Sequence, residues 1–149
     1  IIQSRGCILP CMADNCVFCK IVSGELPSFK VYEDEKTLAF LDIHPVTRGH
    51  TLVIPKAEDT KNIFDVSPED WVATTESARK VAHILEKALE PAGINIMMNN
   101  RSDAGQVIFH PHIHVIPRYT GDGLKQWHHG NYKEGEVDAL LEKIRGIAS

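Results

Sequence analysis

A run of alternating residues shortly before position 120 constrains the fold more than any other segment of this sequence. The segment FHPHIHVIP places a histidine at every second position. Side chains of a β-strand alternate between its two faces, so we predict a strand over 108–117 with His110, His112 and His114 on one face, about 6.6–7 Å apart. The residues between them that would point into a core are Phe109, Ile113 and Val115.

Pro111 lies inside this predicted strand and has no N–H to donate to a neighbouring strand. The strand is therefore expected at the edge of its sheet, or with a local irregularity. An edge position would also give a ligand access to the histidines.

The rest of the chain predicts further strands, one long helix and two shorter helices. The helix starts at Ser67, with Pro68 at its first position and acidic residues in its first turn. Its apolar face is predicted from Trp71, Thr75, Ala78, Ala82, Leu85 and Leu89, before Pro91 and Gly93 end it. Shorter helices are predicted over 17–23 and 136–147, and strands over 29–33, 37–43, 50–55 and 94–99. This order predicts the α+β class, with a mostly antiparallel sheet, one long helix packed on it and a C-terminal helix.

Length, charge and cysteine usage narrow the class of protein. The chain has 149 residues, which fits one domain, and residues 1–11 look like an extension appended to a domain over 12–149. A net charge of −4 does not favour broad binding to nucleic acid, and no apolar run is long enough to predict a membrane span. All four cysteines fall in the first nineteen residues, which argues against a disulfide framework and favours a reducing, cytoplasmic setting.

The alternating histidines allow three interpretations on the residues alone. They could be solvated or core residues, although three in strict alternation are unusual for that. The H-x-H spacing on a strand is also a metal-ligand pair. Finally, imidazoles can donate hydrogen bonds to phosphate, attack phosphorus or pass protons. An attacking histidine must be neutral, with its second nitrogen protonated and held by an acceptor.

The loop before the histidines favours phosphate chemistry. Ala104, Gly105 and Gln106 place a small, flexible backbone there, whose N–H groups are suited to an anion. Asn99 adds an amide donor at the end of the preceding predicted strand.

These segments together resemble the histidine-triad (HIT) superfamily, and within it the Hint-like branch. The family signature is His-φ-His-φ-His-φ-φ, where φ is apolar, and here it is HPHIHVI, preceded by AGQVIF. The resemblance extends over NCVFCKIVSGELPS, VYEDEKTLAFLDI and RGHTLVIPK.

The resemblance implies an α+β homodimer that binds purine nucleoside monophosphates and hydrolyses phosphoramidates or related adducts, with no cofactor needed for the chemistry. It implies that His112 attacks the α-phosphorus, forming a nucleotidyl-histidine from which water releases AMP or GMP. His114 would bind α-phosphate oxygens, His110 would support the site, and His50 would join the same network.

The resemblance also implies a nucleotide site. Asp42 would accept hydrogen bonds from the ribose hydroxyls, although the residue alone is equally typical of a turn. The implied slot for the base is Phe18, Ile21, Phe40 and Ile43, which pattern alone would assign to the core. The implied phosphate contacts are Asn99, Gly105, Gln106 and the backbone of Val107. Many relatives have serine where this chain has Val107, so a hydroxyl contact is missing there.

Cys16 and Cys19 form a C-x-x-C pair that resembles that of zinc-bearing relatives. The resemblance implies a structural zinc site of Cys16, Cys19, His110 and Glu58, the last standing where relatives have histidine. The alternative is a pair of reduced cysteines without metal.

The resemblance thus implies a purine nucleoside phosphoramidase, with adenosine favoured, that cleaves a P–N or P–O bond at a nucleoside 5′-phosphate. Three alternatives remain open at this point: a dinucleoside polyphosphate hydrolase of the Ap4A type, a nucleotide-binding regulatory partner with little turnover, and a metal-dependent hydrolase.

Overall fold

An antiparallel five-stranded sheet organises the chain in a computed structural model that describes residues 16–148. The strands are β1 (Lys30–Glu33), β2 (Thr37–Leu41), β3 (Thr51–Pro55), β4 (Gly93–Met97) and β5 (Ile113–Arg118), in the order β1-β2-β3-β5-β4. The helices are α1 (Val17–Val22), α2 (Pro68–Leu89) and α3 (Glu136–Ala148). The predicted α+β class is confirmed. The predicted extension over residues 1–11 lies outside the described residues.

The two faces of the sheet bury separate apolar clusters, because neighbouring residues of a strand point to opposite sides. On one face, Ala39, Val53 and Val115 pack against Val81 and Leu85 of α2. The opposite face packs against α1 through a second cluster, whose members are Phe18, Ile21, Leu38, Phe40, Leu52 and Ile54. The sheet is therefore a middle layer, and the α1 side of it carries the cavity described below.

Helix α2 begins as the sequence predicts, but its buried face is rotated from the predicted one. The Ser67 side chain accepts a hydrogen bond from the Asp70 N–H at 3.1 Å, and Glu90 ends the helix in a left-handed conformation. The buried positions are Thr74, Ser77, Ala78, Val81 and Leu85. The predicted Thr75 is only partly buried. Apolar periodicity missed Thr74 and Ser77 because hydroxyl groups can be buried once they are hydrogen-bonded, as Ser77 is to Thr37 at 2.7 Å.

The strand predicted over 108–117 is shorter than expected, and of the two alternatives predicted for it, an edge position or a local irregularity, the edge position is wrong. Strand β5 begins at Ile113 and lies inside the sheet, between β3 and β4. His110 and His112 therefore precede the strand, and only His114 belongs to it. Pro111 has no N–H to donate to a neighbouring strand. It lies in the irregular segment that precedes β5, and not in a strand at the edge of the sheet. Phe109, predicted to face the core, is 49% exposed.

The C-terminal helix is confirmed, but it buries no residue. Its apolar side chains are exposed, among them Leu140, Leu141 and Ile144. Among the helices of residues 16–148, none has the length and apolarity needed to cross a membrane.

Candidate active site

A cavity of about 650 Å³ opens on the α1 side of the sheet, where β2 ends and β5 begins. Most of the predicted nucleotide-binding residues line it, namely Phe18, Ile21, Phe40, Asp42, Ile43, Asn99, Gly105, Val107, His112 and His114. Three predicted site residues lie behind its wall instead: His50, His110 and Gln106.

One end of the cavity is apolar and aromatic. The Phe18 ring meets Phe40 edge-on with centroids 5.4 Å apart, and meets His112 in the same way at 5.3 Å. Phe18 and Phe40 are buried, whereas Ile43 is 73% exposed at the cavity. Assignment to the core and assignment to the base slot are therefore compatible for these residues, because core side chains also form the cavity wall.

The His112 ring is held in one tautomer. Its Nδ1 lies 2.7 Å from the carbonyl oxygen of His110, so Nδ1 carries a proton and donates it to that oxygen. Burial lowers the pKa of His112, although this hydrogen bond and the Asp42 carboxylate oppose the change. A neutral ring protonated at Nδ1 has a lone pair at Nε2, which is the state that a nucleophilic imidazole requires.

A hydrogen-bonded pair of histidines lies beside it. The Val46 N–H donates to Nδ1 of His50 at 3.2 Å, so His50 carries its proton at Nε2 and donates it to Nδ1 of His114 at 2.9 Å. His114 is then protonated at Nε2, a buried nitrogen with no hydrogen-bond partner among residues 16–148. The pair thus prepares a donor at a residue that lines the cavity.

Burial and neighbouring rings keep this pair neutral. Burial lowers the pKa of His114 to about 4, and the nearby His112 and His50 add to the effect against the opposing pull of Asp42. Burial likewise lowers the pKa of His50, although Asp42 lies 3.4 Å from its Nδ1. The Asp42 contact would be an ion pair only with His50 protonated. The Val46 N–H and the lowered pKa both favour the neutral ring.

Asp42 has one oxygen engaged in the turn and a second near the histidines. Its Oδ1 accepts a hydrogen bond from the His44 N–H at 2.9 Å, which is the turn role expected from the residue alone. The carboxylate also lines the cavity, so acceptor capacity faces a ligand.

The loop before the histidines also lines the cavity. Gly105 adopts a φ of +88°, a conformation that favours glycine, and the Asn99 amide donates to its carbonyl oxygen at 3.4 Å. Val107 is 84% exposed and lines the cavity. It places an apolar side chain where the family resemblance implies that many relatives have a serine hydroxyl. The Gln106 side chain is buried and bonded to backbone groups, away from the cavity.

Comparison with known proteins shows the family of this chain. The HIT domain family model matches residues 23–121. The chain belongs to the HIT family. Protein hit of Bacillus subtilis (strain 168) is 45% identical over 136 residues, which cover 89% of this chain and 93% of that protein. The crystal structure of SMU.412c from Streptococcus mutans UA159 superposes with a TM-score of 0.87 at 36% identity, covering 99% of this chain and 100% of that one.

Two further relatives of this HIT protein have informative descriptions. Adenylylsulfatase HINT3 of Arabidopsis thaliana is 40% identical over 113 residues, covering 76% of this chain and 57% of that protein. A Zn-bound histidine triad family protein from Mycobacterium smegmatis has a TM-score of 0.70 at 38% identity, covering 89% of this chain and 97% of that one.

The HIT protein brings three of its four predicted zinc ligands together. Nδ1 of His110 lies 3.7 Å from Sγ of Cys16 and 3.5 Å from Sγ of Cys19, and the three donor atoms lie within 4.8 Å of one another. The other ring nitrogen of His110 donates to the Pro55 carbonyl oxygen at 2.8 Å, as metal-ligating histidines commonly do. Glu58 is exposed and stands outside this group. Two cysteines and a histidine are ligands typical of zinc, so this donor set fits the metal. Because Glu58 lies outside the group, its placement does not make it the fourth ligand.

Sequence reasoning missed several residues that line the cavity, namely Val17, Leu26, Phe29 and Ile108. Phe29 is 69% exposed although it immediately precedes β1. The only local signal of its exposure was its position at the border of a predicted strand, directly after Pro27 and Ser28. Backbone partners such as the Val46 N–H have no sequence signal.

Proposed function

We propose that this HIT protein is a purine nucleoside phosphoramidase that forms a nucleotidyl intermediate on His112 and releases AMP or GMP. The observation that carries the proposal is the hydrogen bond from Nδ1 of His112 to the His110 carbonyl oxygen, beside a cavity sized for a small ligand. It leaves Nε2 unprotonated on a neutral ring, which suits attack on phosphorus.

The reaction divides into two displacements at the α-phosphorus. Nε2 of His112 attacks, the P–N bond breaks, and the leaving amine takes up a proton from solvent. Water then attacks the nucleotidyl-histidine and loses one proton to solvent, and the N–P bond breaks to release the nucleoside monophosphate and the neutral ring. The buried N–H at Nε2 of His114 is suited to the phosphoryl oxygens, where charge develops in both steps.

The rest of the cavity suits the nucleoside. The base would lie in the apolar end formed by Phe18, Ile21, Phe40 and Ile43, and the ribose hydroxyls would donate to Asp42. Asn99, Gly105 and Val107 also line the cavity, and the side chain of Asn99 and the backbone of the other two would contact phosphate.

Relatives support the proposal at the level of reaction class. Family membership and a relative named an adenylylsulfatase both fit cleavage at a nucleoside phosphate. We also propose a homodimer, which the family resemblance implies. The exposed apolar side chains of α3, among them Leu140, Leu141 and Ile144, are compatible with an intermolecular contact.

The proposal is tested with wild-type protein, adenosine 5′-phosphoramidate and diadenosine tetraphosphate. We expect AMP and ammonia from the phosphoramidate, at a rate that a chelator leaves unchanged as long as the protein stays folded by circular dichroism, because the chemistry uses imidazole groups. Preference for the dinucleotide would favour the polyphosphate hydrolase, and loss of turnover with chelator in protein that keeps its fold would favour a metal-dependent hydrolase. Nucleotide binding without turnover of either compound would contradict an enzymatic role.

We further propose a structural zinc ion held by Cys16, Cys19 and Nδ1 of His110. Zinc would tie α1 to the segment before β5 and fix the ring of His110, whose own carbonyl orients His112. The ion would act on the fold and not on the reacting phosphorus.

Protein purified without added metal is expected to contain about one zinc ion per chain. Cys19→Ser should lose the metal and melt at a lower temperature, because a structural zinc ion contributes directly to folding. Metal analysis and thermal melts check this, with Ser23→Ala at the end of α1 as a control that leaves the donor set intact. Wild-type protein without zinc, melting together with Cys19→Ser, would rule out the site.

A further inference from the structure

The Gln106 side chain has a different position from the one expected of a phosphate ligand. Only 3% of the residue is exposed, and it does not belong to the cavity lining. Its amide nitrogen donates to the carbonyl oxygens of Lys61 and Ile108, and its Oε1 accepts from the Arg101 N–H at 2.7 Å. Both amide hydrogens and the amide oxygen are therefore engaged with the backbone.

These hydrogen bonds connect two loops. One is the loop 61–66, which precedes α2, and the other is the loop 98–108, which forms the phosphate-side wall. A second link joins them where the Ile63 N–H donates to Oδ1 of Asn100 at 2.8 Å, and the Arg101 guanidinium lies 4.7 Å from the Phe64 ring centroid. Among the side chains that make these contacts, only that of Gln106 is buried.

The wall is held in a conformation that it would not adopt alone. Arg101 has a φ of +73°, which is strained for a residue with a side chain. Gln106 contacts this residue twice, since its own N–H also donates to the Arg101 carbonyl oxygen at 3.1 Å. Strained backbone persists only where surrounding contacts determine it, and Gln106 supplies two of them.

The residues next to Gln106 form the cavity. Gly105, Val107 and Ile108 all line it, and the Ile108 carbonyl is itself one of the acceptors that Gln106 fixes. Two residues further on, His110 offers the carbonyl that orients His112. The position of the wall relative to the attacking histidine therefore depends on where this backbone is held.

We propose that Gln106 is a positioning residue that holds the phosphate-side wall against the loop 61–66, and that it does not contact the substrate. The proposal rests on the proposed function for its effect on turnover, but its structural part does not. A misplaced wall costs turnover more than affinity, because the base slot and Asp42 bind the nucleotide elsewhere.

The test compares Gln106→Glu with Asn100→Asp at pH 8. Both substitutions add one carboxylate, but Gln106→Glu replaces a donor that serves two carbonyls, whereas Asn100→Asp keeps the oxygen that accepts from Ile63. We expect hydrogen exchange over 61–66 and 101–109 to accelerate in Gln106→Glu only. We also expect its kcat to fall roughly 10- to 100-fold with a much smaller change in KM, and Asn100→Asp to behave as wild type.

The opposite pattern would overturn the proposal. Unchanged exchange together with a large loss of AMP affinity would make Gln106 a phosphate ligand, because a carboxylate there would repel the anion. Wild-type exchange and wild-type kcat in Gln106→Glu would exclude both roles. If Gln106→Glu does not fold, Gln106→Met gives the same comparison without a buried charge. Absence of turnover in wild-type protein would count against the proposed function, while the exchange measurement would still decide the role of Gln106.

Discussion

Replacing His112 with alanine is expected to lower the turnover of adenosine 5′-phosphoramidate on the order of 10⁶-fold, the scale seen when a catalytic nucleophile is removed. The ring supplies the lone pair at Nε2. Among the described histidines, only His112 donates its Nδ1 proton to the His110 carbonyl oxygen. AMP affinity should be largely kept, because Asp42 and the apolar end of the cavity are untouched. Steady-state kinetics and calorimetric titration with AMP measure the two quantities separately.

A matched control is available on α2. His83 is an exposed histidine of that helix, and His83→Ala should leave turnover unchanged. Intact-mass analysis of quenched wild-type reactions should show a nucleotidyl adduct that His112→Ala lacks. Turnover by His112→Ala at the wild-type rate, or an adduct of the same size in that variant, would disprove the mechanism.

The fold was largely predictable because its elements have strong local signals. Ser67 and Pro68 mark the start of α2, and apolar runs bounded by turns mark β2 and β3. The run of histidines was a less reliable guide to structure than to chemistry. Alternation placed three rings on one strand face, but Pro111 prevents regular pairing, and only His114 lies in β5.

The site was predicted in part, and the difference lies in backbone partners. The family resemblance pointed to Phe18, Phe40 and Asp42, which line the cavity, whereas pattern alone assigned the two phenylalanines to the core. Neither could show that the carbonyls of His110 and Pro55 hold two of the histidine rings, because both contacts depend on the path of the irregular segment before β5, which carries His110 and His112 past the end of β3. Gln106 was assigned to phosphate by its neighbours in sequence, yet its side chain turns toward the backbone of another loop.

The same buried histidines are expected to make the protein sensitive to mild acid. The pKa of His114 is about 4 in the folded protein, against an ordinary value of 6.5. Between these values the unfolded chain binds more protons than the folded one, so the free energy of unfolding falls as the pH falls through this window. Each pKa unit corresponds to about 1.4 kcal/mol, so His114 accounts for up to about 3 kcal/mol, less what solvent screening removes. Burial of His50 acts in the same direction.

This loss is distinguishable from ordinary acid unfolding by its pH range. Burial works against ionisation of Asp34, but hydrogen bonds from Thr37 and its neighbours lower the pKa of the carboxylate to about 2, so its contribution is lost only below about pH 4. Urea unfolding at a series of pH values between 7 and 4 should therefore give a smaller slope for His114→Asn than for wild type. His83→Asn on the surface of α2 should keep the wild-type slope. Equal slopes in all three proteins would mean that His114 is not buried as a neutral ring, and its proposed role as a phosphate donor would lose its structural basis.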